Sequence, residues 1–478
     1  MSTTALYVQR RPLLLLRRLS GFGLRRGLAT QQPAAPGSAC ELYDIAIVGG
    51  GPAGCTMAAA LGSLGAMSHM RIALIDSGKL SDIRQWEPPT DTYLPRTLQI
   101  TASNQRFLEH LGVWHLCFED RIQAYNRAVV TDALGKGKID LAALNSPSGD
   151  AAFMIETKNL VSGLLKAIDH NSRHIDVFER SKVSNWESAS KSDANSAAAK
   201  WPTITLSNNR QLQARLVIGA DGANSCVRKY ANIGTYGTKY AQYGLVATLC
   251  LQEPISAAYQ RFLPTGPIAM LPFPGGFANL VWSLDTDLIQ LLKSRLSSDI
   301  VNAAFRLSPV EMEYIYDMMR SNASTEQIND EVAWRLQHAY SNDTLPPTVA
   351  AIASKSSFPL QLRMVDSLVA DRVALVGDAG HVMHPLAGQG LNMGLEDVQC
   401  LVQVLNEAAM AGEDIGIVLG RYNSQRYMRN LAMQGIVDKC WHVFGARSGL
   451  VASLRSMAMA GLDQLPAVKS HMIHAFMQ

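Results

Sequence analysis

The sequence predicts an α/β fold: a discontinuous Rossmann-like domain built from separated stretches of chain, an inserted sheet-rich domain, and a C-terminal helical extension. Three observations carry this. A glycine-rich turn, Gly49 to Gly54, separates an apolar strand pattern from an alanine-rich helical one. Two more apolar strand patterns, Leu212 to Gly219 and Arg372 to Val376, each run into a Gly/Asp turn much later in the chain. Between those two, residues 240 to 357 alternate apolar stretches with proline and glycine breaks.

At 478 residues the chain has room for two domains at the usual ~100 to 200 residues each. Its formal charge of +3 conceals an asymmetry. Residues 1 to 40 hold Arg10, Arg11, Arg17, Arg18, Arg25 and Arg26 and no acidic residue, which leaves 37 basic against 40 acidic residues beyond them. That balance offers nucleic acid no net attraction, and no nucleic-acid function is expected. The same forty residues interleave arginine with Leu13 to Leu16, Leu19, Phe22 and Leu24 and end in the Pro/Ala/Gly stretch Pro33 to Ala39. They read as a mitochondrial transit peptide, with a disordered basic tail as the alternative. Pro12 and the paired arginines cut the apolar run far short of the ~20 residues a membrane span needs. The 7 cysteines are scattered without a C-x-x-C, so they read as reduced thiols, not as a disulfide frame or a zinc site.

In chain order, Tyr43 to Val48 is a buried-strand pattern, Cys55 to Gly65 has helical composition, and Arg71 to Asp76 is a second strand, together a βαβ opening. The nucleotide domain is expected over residues 41–130, 151–239 and 358–430. Residues 131–150 are taken as a loop, including Leu144 to Asp150, and the Ala/Ser/Lys stretch Ser188 to Lys200 as a hairpin loop. Residues 240–357, with strands at Leu245 to Leu251 and Ala278 to Leu284, form the substrate domain. Residues 431–478 form the helical extension.

The stretch Gly49-Gly50-Gly51-Pro52-Ala53-Gly54 satisfies G-x-G-x-x-G. One glycine makes the tight turn, the next lets the backbone approach a pyrophosphate, and the third lets helix pack on strand, with the anion at the helix N-terminus. Asp76, ending the second strand, supplies the acid for a ribose hydroxyl. NAD and FAD both fit this much. A second segment, Ile218 to Arg228, brings Asp221, Ser225 and Arg228 close together, although alone it could be an Asp-Gly turn. The third, Val373 to His381 followed by His384 to Gly394, is the most informative. After Gly377, Asp378 can accept from a ribityl hydroxyl, and Gly388 to Gly394 can bring a helix N-terminus to a flat ring, where donors would stabilise the negative charge of a reduced flavin. FAD is therefore the expected cofactor. His381 and His384 invite a metal reading, but proline follows His384 and no third ligand is apparent, so none is expected.

With these segments in place, the chain from Tyr43 to about Arg429 resembles the flavoprotein monooxygenases of the para-hydroxybenzoate hydroxylase type. Within them it resembles the mitochondrial ubiquinone-biosynthesis branch that hydroxylates the C5 ring position, through Gln260 to Ala269, Asp221 to Ser225 and His384 to Gly390. The resemblance implies FAD contacts at Gly49, Gly51, Pro52, Ala53, Gly54, Asp76, Arg96, Asp221, Gly377 and Asp378. It places Pro385, Gly388, Gln389, Gly390, Leu391 and Asn392 against the isoalloxazine. Many relatives carry Glu at Asp76 and alanine at Gly380.

The resemblance further implies a reaction through a flavin C4a-hydroperoxide, with O2 as co-substrate and no protein nucleophile. The substrate would be a polyprenyl 4-hydroxybenzoate or 4-aminobenzoate ring, and the electrons would come from a ferredoxin and its reductase. Phe262, Leu263, Leu271, Pro272, Phe273 and Phe358 are candidates to line a groove for the tail, and Arg261 could meet a substrate carboxylate or make a surface salt bridge. Two other readings stand beside this one: an NAD(P)H-driven hydroxylase of a small soluble aromatic, and a non-enzymatic scaffold. The stripe Leu450, Leu454, Met457 would let the C-terminal extension dock on the matrix side of the inner membrane, or on other proteins of a ubiquinone-synthesis complex. Packing of that helix on the flavin domain is the alternative.

Overall fold

The structure, a computed structural model, describes residues 40–135, 137–142, 152–171, 174–187, 201–339 and 345–465. The transit-peptide reading, apart from Cys40, and the loop readings of Leu144 to Asp150 and Ser188 to Lys200 lie outside them.

The nucleotide-domain sheet has a parallel centre in the order Val373–Leu375, Gln211–Gly219, Glu41–Val48, Ile72–Ile75 and Ile175–Phe178. Helices cover it, among them Pro52–Ser63, Thr157–Asn171 and Gln389–Ala411, so Ile45, Ile47, Leu74 and Ile218 have no accessible surface. Burial on both faces explains why these strands read as unbroken apolar runs. A hairpin, Val183–Glu187 with Thr203–Leu206, extends the sheet beside Gln211–Gly219.

The second large sheet runs His381–Val382, Val349–Val365, Thr235–Leu251, Phe277–Asp285, Gly266–Phe273, Ala257–Leu263, Arg127–Asp132 and Lys138–Ala142. A three-stranded sheet is formed by Thr97–Thr101, Ala152–Glu156 and Gln123–Tyr125, and the short strand Val369–Ala370 pairs antiparallel with Val373–Leu375 at the edge of the first sheet. Tyr93, Tyr125, Met154 and Phe273 form a small core joining it to the second sheet.

Several elements differ from expectation. Residues 131–150 are not all loop, because Lys138–Ala142 pairs antiparallel with Arg127–Asp132, which pairs parallel with Ala257–Leu263. Gly135, Gly137 and the flanking lysines mask that short strand in the sequence. The strands Thr235–Leu251 and Val349–Val365 run through the expected bounds at 240 and 357, pairing antiparallel along their length with breaks in register, while Gln242 to Cys250 also pairs with Phe277–Asp285 on the other side. The sheet-rich domain also carries the helices Thr286–Arg295, Ser298–Arg306, Pro309–Arg320 and Thr325–His338, which cover one sheet face and bury Trp282, Phe305, Ile315 and Tyr316. Their starts carry legible signals: Ser308 with Glu311 and Ser324 with Gln327 close capping boxes, and Ser297 caps the helix between them and the sheet. Finally, the helix Leu419–Gly445 crosses the expected start of the extension at 431, and the C-terminal helix Gly449–Asp463 follows it.

Candidate functional site

The three sequence segments meet at one place. Gly49 has φ +114, and a Cβ there would lie 2.3 Å from the carbonyl oxygen of Ala220, so the first turn is pressed against the second segment. Ala220 N donates to Val48 O at 2.8 Å, and Val376 N donates to Gly219 O at 3.0 Å. The third segment reaches the first through Gly377, whose added Cβ would stand 3.4 Å from Cβ of Ala53. Arg228 ties the second to the third by donating from Nη1 to Ala379 O at 2.8 Å.

The glycines divide their roles as the motif requires. A Cβ on Gly54 would lie 1.9 Å from Gly49 O, so helix and turn touch there, whereas a Cβ on Gly51 would meet nothing within 4 Å. The open side at Gly51 faces the start of the helix Pro52–Ser63, which has no side-chain cap, so its first-turn N–H groups suit a diphosphate. Asp76 lies beside them, its carboxylate accepting from Gly50 N and Gly78 N, both at 2.6 Å. Arg96 is exposed just ahead of the strand Thr97–Thr101, and its carbonyl accepts from Thr157 N at 3.1 Å.

Two further carboxylates bear on cofactor fit. Asp221 Oδ2 accepts from Cys226 N and Val227 N at 2.6 and 3.3 Å, while its Oδ1 is buried with no protein partner. Asp378 is exposed, yet enough protein stands around its carboxyl to raise it above the usual range by desolvation, despite the opposing charge of His381, as for a group lining an open hollow. An orphaned acceptor, an open glycine face and two capless helix starts therefore fit an extended dinucleotide. The second such start is that of Gln389–Ala411, where Gly388 holds φ +63 and Gly390 has no neighbour closer than 3.9 Å to an added Cβ. Pro385 precedes it in a single 3-10 turn, Gln389 is buried, and Leu391 packs partly against the main core.

Asn392 corrects an expectation. Its side chain is wholly buried and engaged by protein at both ends, so a ring could be met only through its backbone: Oδ1 accepts from Thr101 N and Asn104 Nδ2, both at 3.0 Å, and Nδ2 donates to Gln99 O at 3.0 Å and Gly388 O at 3.3 Å. It staples the helix start to the strand Thr97–Thr101, which fixes where that start points.

A second positioning cluster escapes a reading of the sequence alone. Asp397 is fully buried, with Oδ2 at 2.5 Å from His381 Nε2 and 3.1 Å from Gly377 N. Its Oδ1 takes Arg426 Nε at 2.9 Å and Asn430 Nδ2 at 3.0 Å. Burial alone would push this carboxyl up, but His381, Arg426 and Asn430 hold it below the usual range. Gln434 adds donations to Arg363 O and Val382 O at 2.8 and 3.1 Å. The available signal is Arg426, Asn430 and Gln434 at intervals of four, a buried polar stripe on one helix face. His384 has both ring nitrogens buried without a partner, stands edge-on to Tyr240, and is pushed down to about 4 by burial.

Beside the turn Pro385–Ala387 lies a cavity of about 320 Å³ lined by Phe262, Leu263, Leu386, Trp441 and Phe444 and also by the polar Gln242, Asp285 and Arg447, among others. Phe262 stacks on Phe444 with ring centroids 3.8 Å apart. Of the remaining tail-groove candidates, Phe273 sits in the Tyr93 core with Leu271 and Pro272 on the same strand, and Phe358 is 39% exposed over Gly244. Arg261 is also corrected. Strand alternation turns it to the opposite sheet face from Phe262, where Nη1 donates to Ala304 O at 3.0 Å, and desolvation lowers it to about 10. Among the described residues it makes no salt bridge, and it does not line this cavity.

Comparisons with known proteins agree with this geometry. A family model described as an FAD binding domain matches residues 42–435. The mitochondrial ubiquinone biosynthesis monooxygenase COQ6 of Saccharomyces cerevisiae is 36% identical over 486 residues, 96% of this chain and 97% of that protein. The protein of that name from Schizosaccharomyces pombe is 33% identical, covering 94% of each. Among solved structures, p-nitrophenol 4-monooxygenase PnpA from Pseudomonas putida shares the fold at TM-score 0.65 and 16% identity, over 91% of this chain and 98% of that one. The chain belongs to the FAD-binding monooxygenase family and, within it, to the mitochondrial ubiquinone biosynthesis monooxygenases.

Proposed function

We propose that this monooxygenase hydroxylates the C5 position of a polyprenyl 4-hydroxybenzoate or 4-aminobenzoate ring, peripherally bound on the matrix side of the mitochondrial inner membrane. The observation that supports it best is the cavity walled by Phe262, Leu263, Trp441 and Phe444, which reaches Leu386 in the segment ahead of the helix start at Gly388. An apolar tail lying there would leave its ring beside that helix start. The arginine-rich residues 1 to 40 favour mitochondrial import.

FAD, when bound, would pass two electrons from the donor to O2, one atom of which enters the ring while the other leaves as water. The chain's own residues do the rest. Gly51 and the capless start of Pro52–Ser63 admit the diphosphate, and Asp76 meets a ribose hydroxyl. Asp221 and Asp378 accept from further hydroxyls of the cofactor. The N–H groups after Gly388, at a helix start without a side-chain cap, would favour negative charge on a flavin ring held there. Asn392 and Asp397 hold these groups in register, and the aromatic walls keep water from the reacting ring.

Electrons come, on this reading, from a ferredoxin and its reductase, and the enzyme works alongside other ubiquinone-biosynthesis proteins. Product analysis of the FAD-loaded protein with a reconstituted ferredoxin chain and a prenylated 4-hydroxybenzoate tests it, with a C5-hydroxylated product expected. Rapid flavin reduction by NAD(P)H alone, with turnover of small soluble aromatics and none of the prenylated ring, would replace it with the small-aromatic hydroxylase.

A further inference from the structure

We propose that the outward face of the C-terminal helix Gly449–Asp463 is a docking surface for an anionic lipid bilayer, which it brings against the mouth of the aromatic cavity. This helix inverts the usual arrangement of a surface helix, which turns charge outward and apolar side chains in. Its inner side carries Arg455, only 6% exposed, whose Nε and Nη2 meet the carboxylate of Asp132 at 2.7 and 2.8 Å. Nη1 of the same residue donates to the carbonyls of Val443, Phe444 and Ala446. Its outer side carries Leu450, Leu454 and Met457, which are 71%, 58% and 72% exposed, with exposed Ser453, Ala458 and Gly461 between and beyond them. The spacing places these residues on one stripe without a charge.

The helix is seated in a shaped socket, so this orientation is built in. A Cβ on Gly135 would lie 1.8 Å from Ser456 Oγ, and one on Gly137 would lie 2.8 Å from Met459 Sδ. Only a glycine hairpin lets the helix settle this close. At its far end Asp463 Oδ1 accepts from Asp140 N at 2.9 Å. Held at both ends, the helix cannot roll its apolar stripe inward.

Charge selects the occupant. Between Ile436 and Leu465 the fully charged side chains that stand exposed are Lys439 and Arg447. The two carboxylates of that stretch are engaged, Asp438 accepting from Tyr240 Oη at 2.6 Å and Asp463 as above. Residues 466–478 add Lys469 and no acidic residue. An apolar stripe with a cationic rim and no opposing exposed carboxylate fits an anionic leaflet. None of the described helices is long and apolar enough to cross a membrane, so this one lies on the surface. Position adds a second argument. Phe444, Gly445, Ala446 and Arg447 line the cavity and lead directly into the helix, so an apolar tail leaving the cavity emerges beside the stripe. This last step rests on the polyprenyl reading of the substrate; the docking surface itself does not.

The test uses the FAD-loaded full chain and flotation with vesicles of phosphatidylcholine, with and without cardiolipin. Wild type should bind the cardiolipin vesicles preferentially, and Leu454→Glu with Met457→Glu should weaken binding about tenfold or more. Val310→Glu with Tyr314→Glu, which adds the same two carboxylates at positions 80% and 50% exposed on a different helix, should bind as wild type. Flavin content and thermal unfolding of the double variant should match wild type, and turnover of a short-tailed soluble ring analogue should be retained while that of a long-tailed substrate in vesicles falls. Unchanged vesicle binding by the double variant, equal binding of wild type to both vesicles, or dissociation of a dimer by the variant would each overturn the proposal. Failure of wild type on both ring substrates, with the vesicle result intact, would instead overturn the hydroxylase reading.

Discussion

Asp397 and His381 stand 2.5 Å apart, Oδ2 to Nε2, with neither side chain reaching solvent. The same carboxylate holds Gly377 N and balances Arg426, so one residue fixes the turn that carries Asp378. Asp397→Ala leaves Arg426 buried without that counter-charge and should cost about 3–5 kcal/mol. Urea unfolding of the FAD-free protein measures it, and a loss below about 1 kcal/mol, within the range of ordinary surface pairs, would show that the cluster positions nothing.

Two glycines of the first turn should fail in different ways. Gly51→Val adds a side chain to open space, so the FAD-free protein should unfold as wild type while flavin absorbance per chain falls to near zero on purification. Gly54→Val drives a Cβ into Gly49 O, and the FAD-free fold itself should be lost or weakened by several kcal/mol. Retention of stoichiometric flavin by Gly51→Val would remove the diphosphate from its assigned place.

Asp378 supplies a prediction with opposite signs for stability and binding. Because the surrounding protein raises its carboxyl in the folded chain although the residue is exposed, ionisation there opposes folding once pH exceeds the unfolded value, roughly 3.9, by an amount that solvent screening keeps small. Asp378→Asn should therefore make the FAD-free protein more stable at neutral pH, an advantage that fades as pH falls toward 4. Flavin affinity should nevertheless drop about five- to tenfold, the difference between a hydrogen bond to a charged acceptor and one to the neutral amide oxygen that replaces it. Equal affinity for the two proteins, read by flavin fluorescence titration, would contradict the assignment.

Legibility follows locality. Gly51 and Asp76 can be read because turn, helix and acid recur within one βαβ unit, where spacing alone specifies geometry. Asn104 and Asn392 meet across 288 residues and no spacing announces it, so the family resemblance sets Asn392 beside the ring and gives no sign of the staple its side chain makes. Alternation in the strand Ala257–Leu263 already puts Arg261 and Phe262 on opposite faces. Which face meets the covering helices depends on tertiary packing, and that places Phe262 at the cavity and Arg261 beneath the sheet. The short strand Lys138–Ala142 is hidden because its pairing partner, not its composition, makes it a strand.

His384 predicts a pH dependence. Its ring is held near 4 in the folded chain against an ordinary 6.5, burial being the cause and Asp438 a partial opposing charge. The unfolded chain thus binds a proton between these values that the folded chain refuses, and stability falls as pH drops from about 6.5 toward 4, by up to roughly 3 kcal/mol. His384→Gln should flatten that part of the profile. Parallel slopes for wild type and variant in urea unfolding between about pH 7 and 5 would show that the ring is not the source.

The stacked pair Phe262 and Phe444 separates tail recognition from cofactor binding. Both line the cavity and neither touches the glycine turns, so Phe262→Ala should leave flavin content unchanged. Removing the ring withdraws apolar contact worth about 1–3 kcal/mol, which should raise KM for a long-tailed substrate about 10- to 100-fold. A short-tailed analogue that never reaches Phe262 should show little change, and the double variant with Phe444→Ala should add less than the two single losses, because each ring is the other's partner. If KM rises equally for long and short tails, the cavity holds the ring itself, and the tail must leave the site by another route.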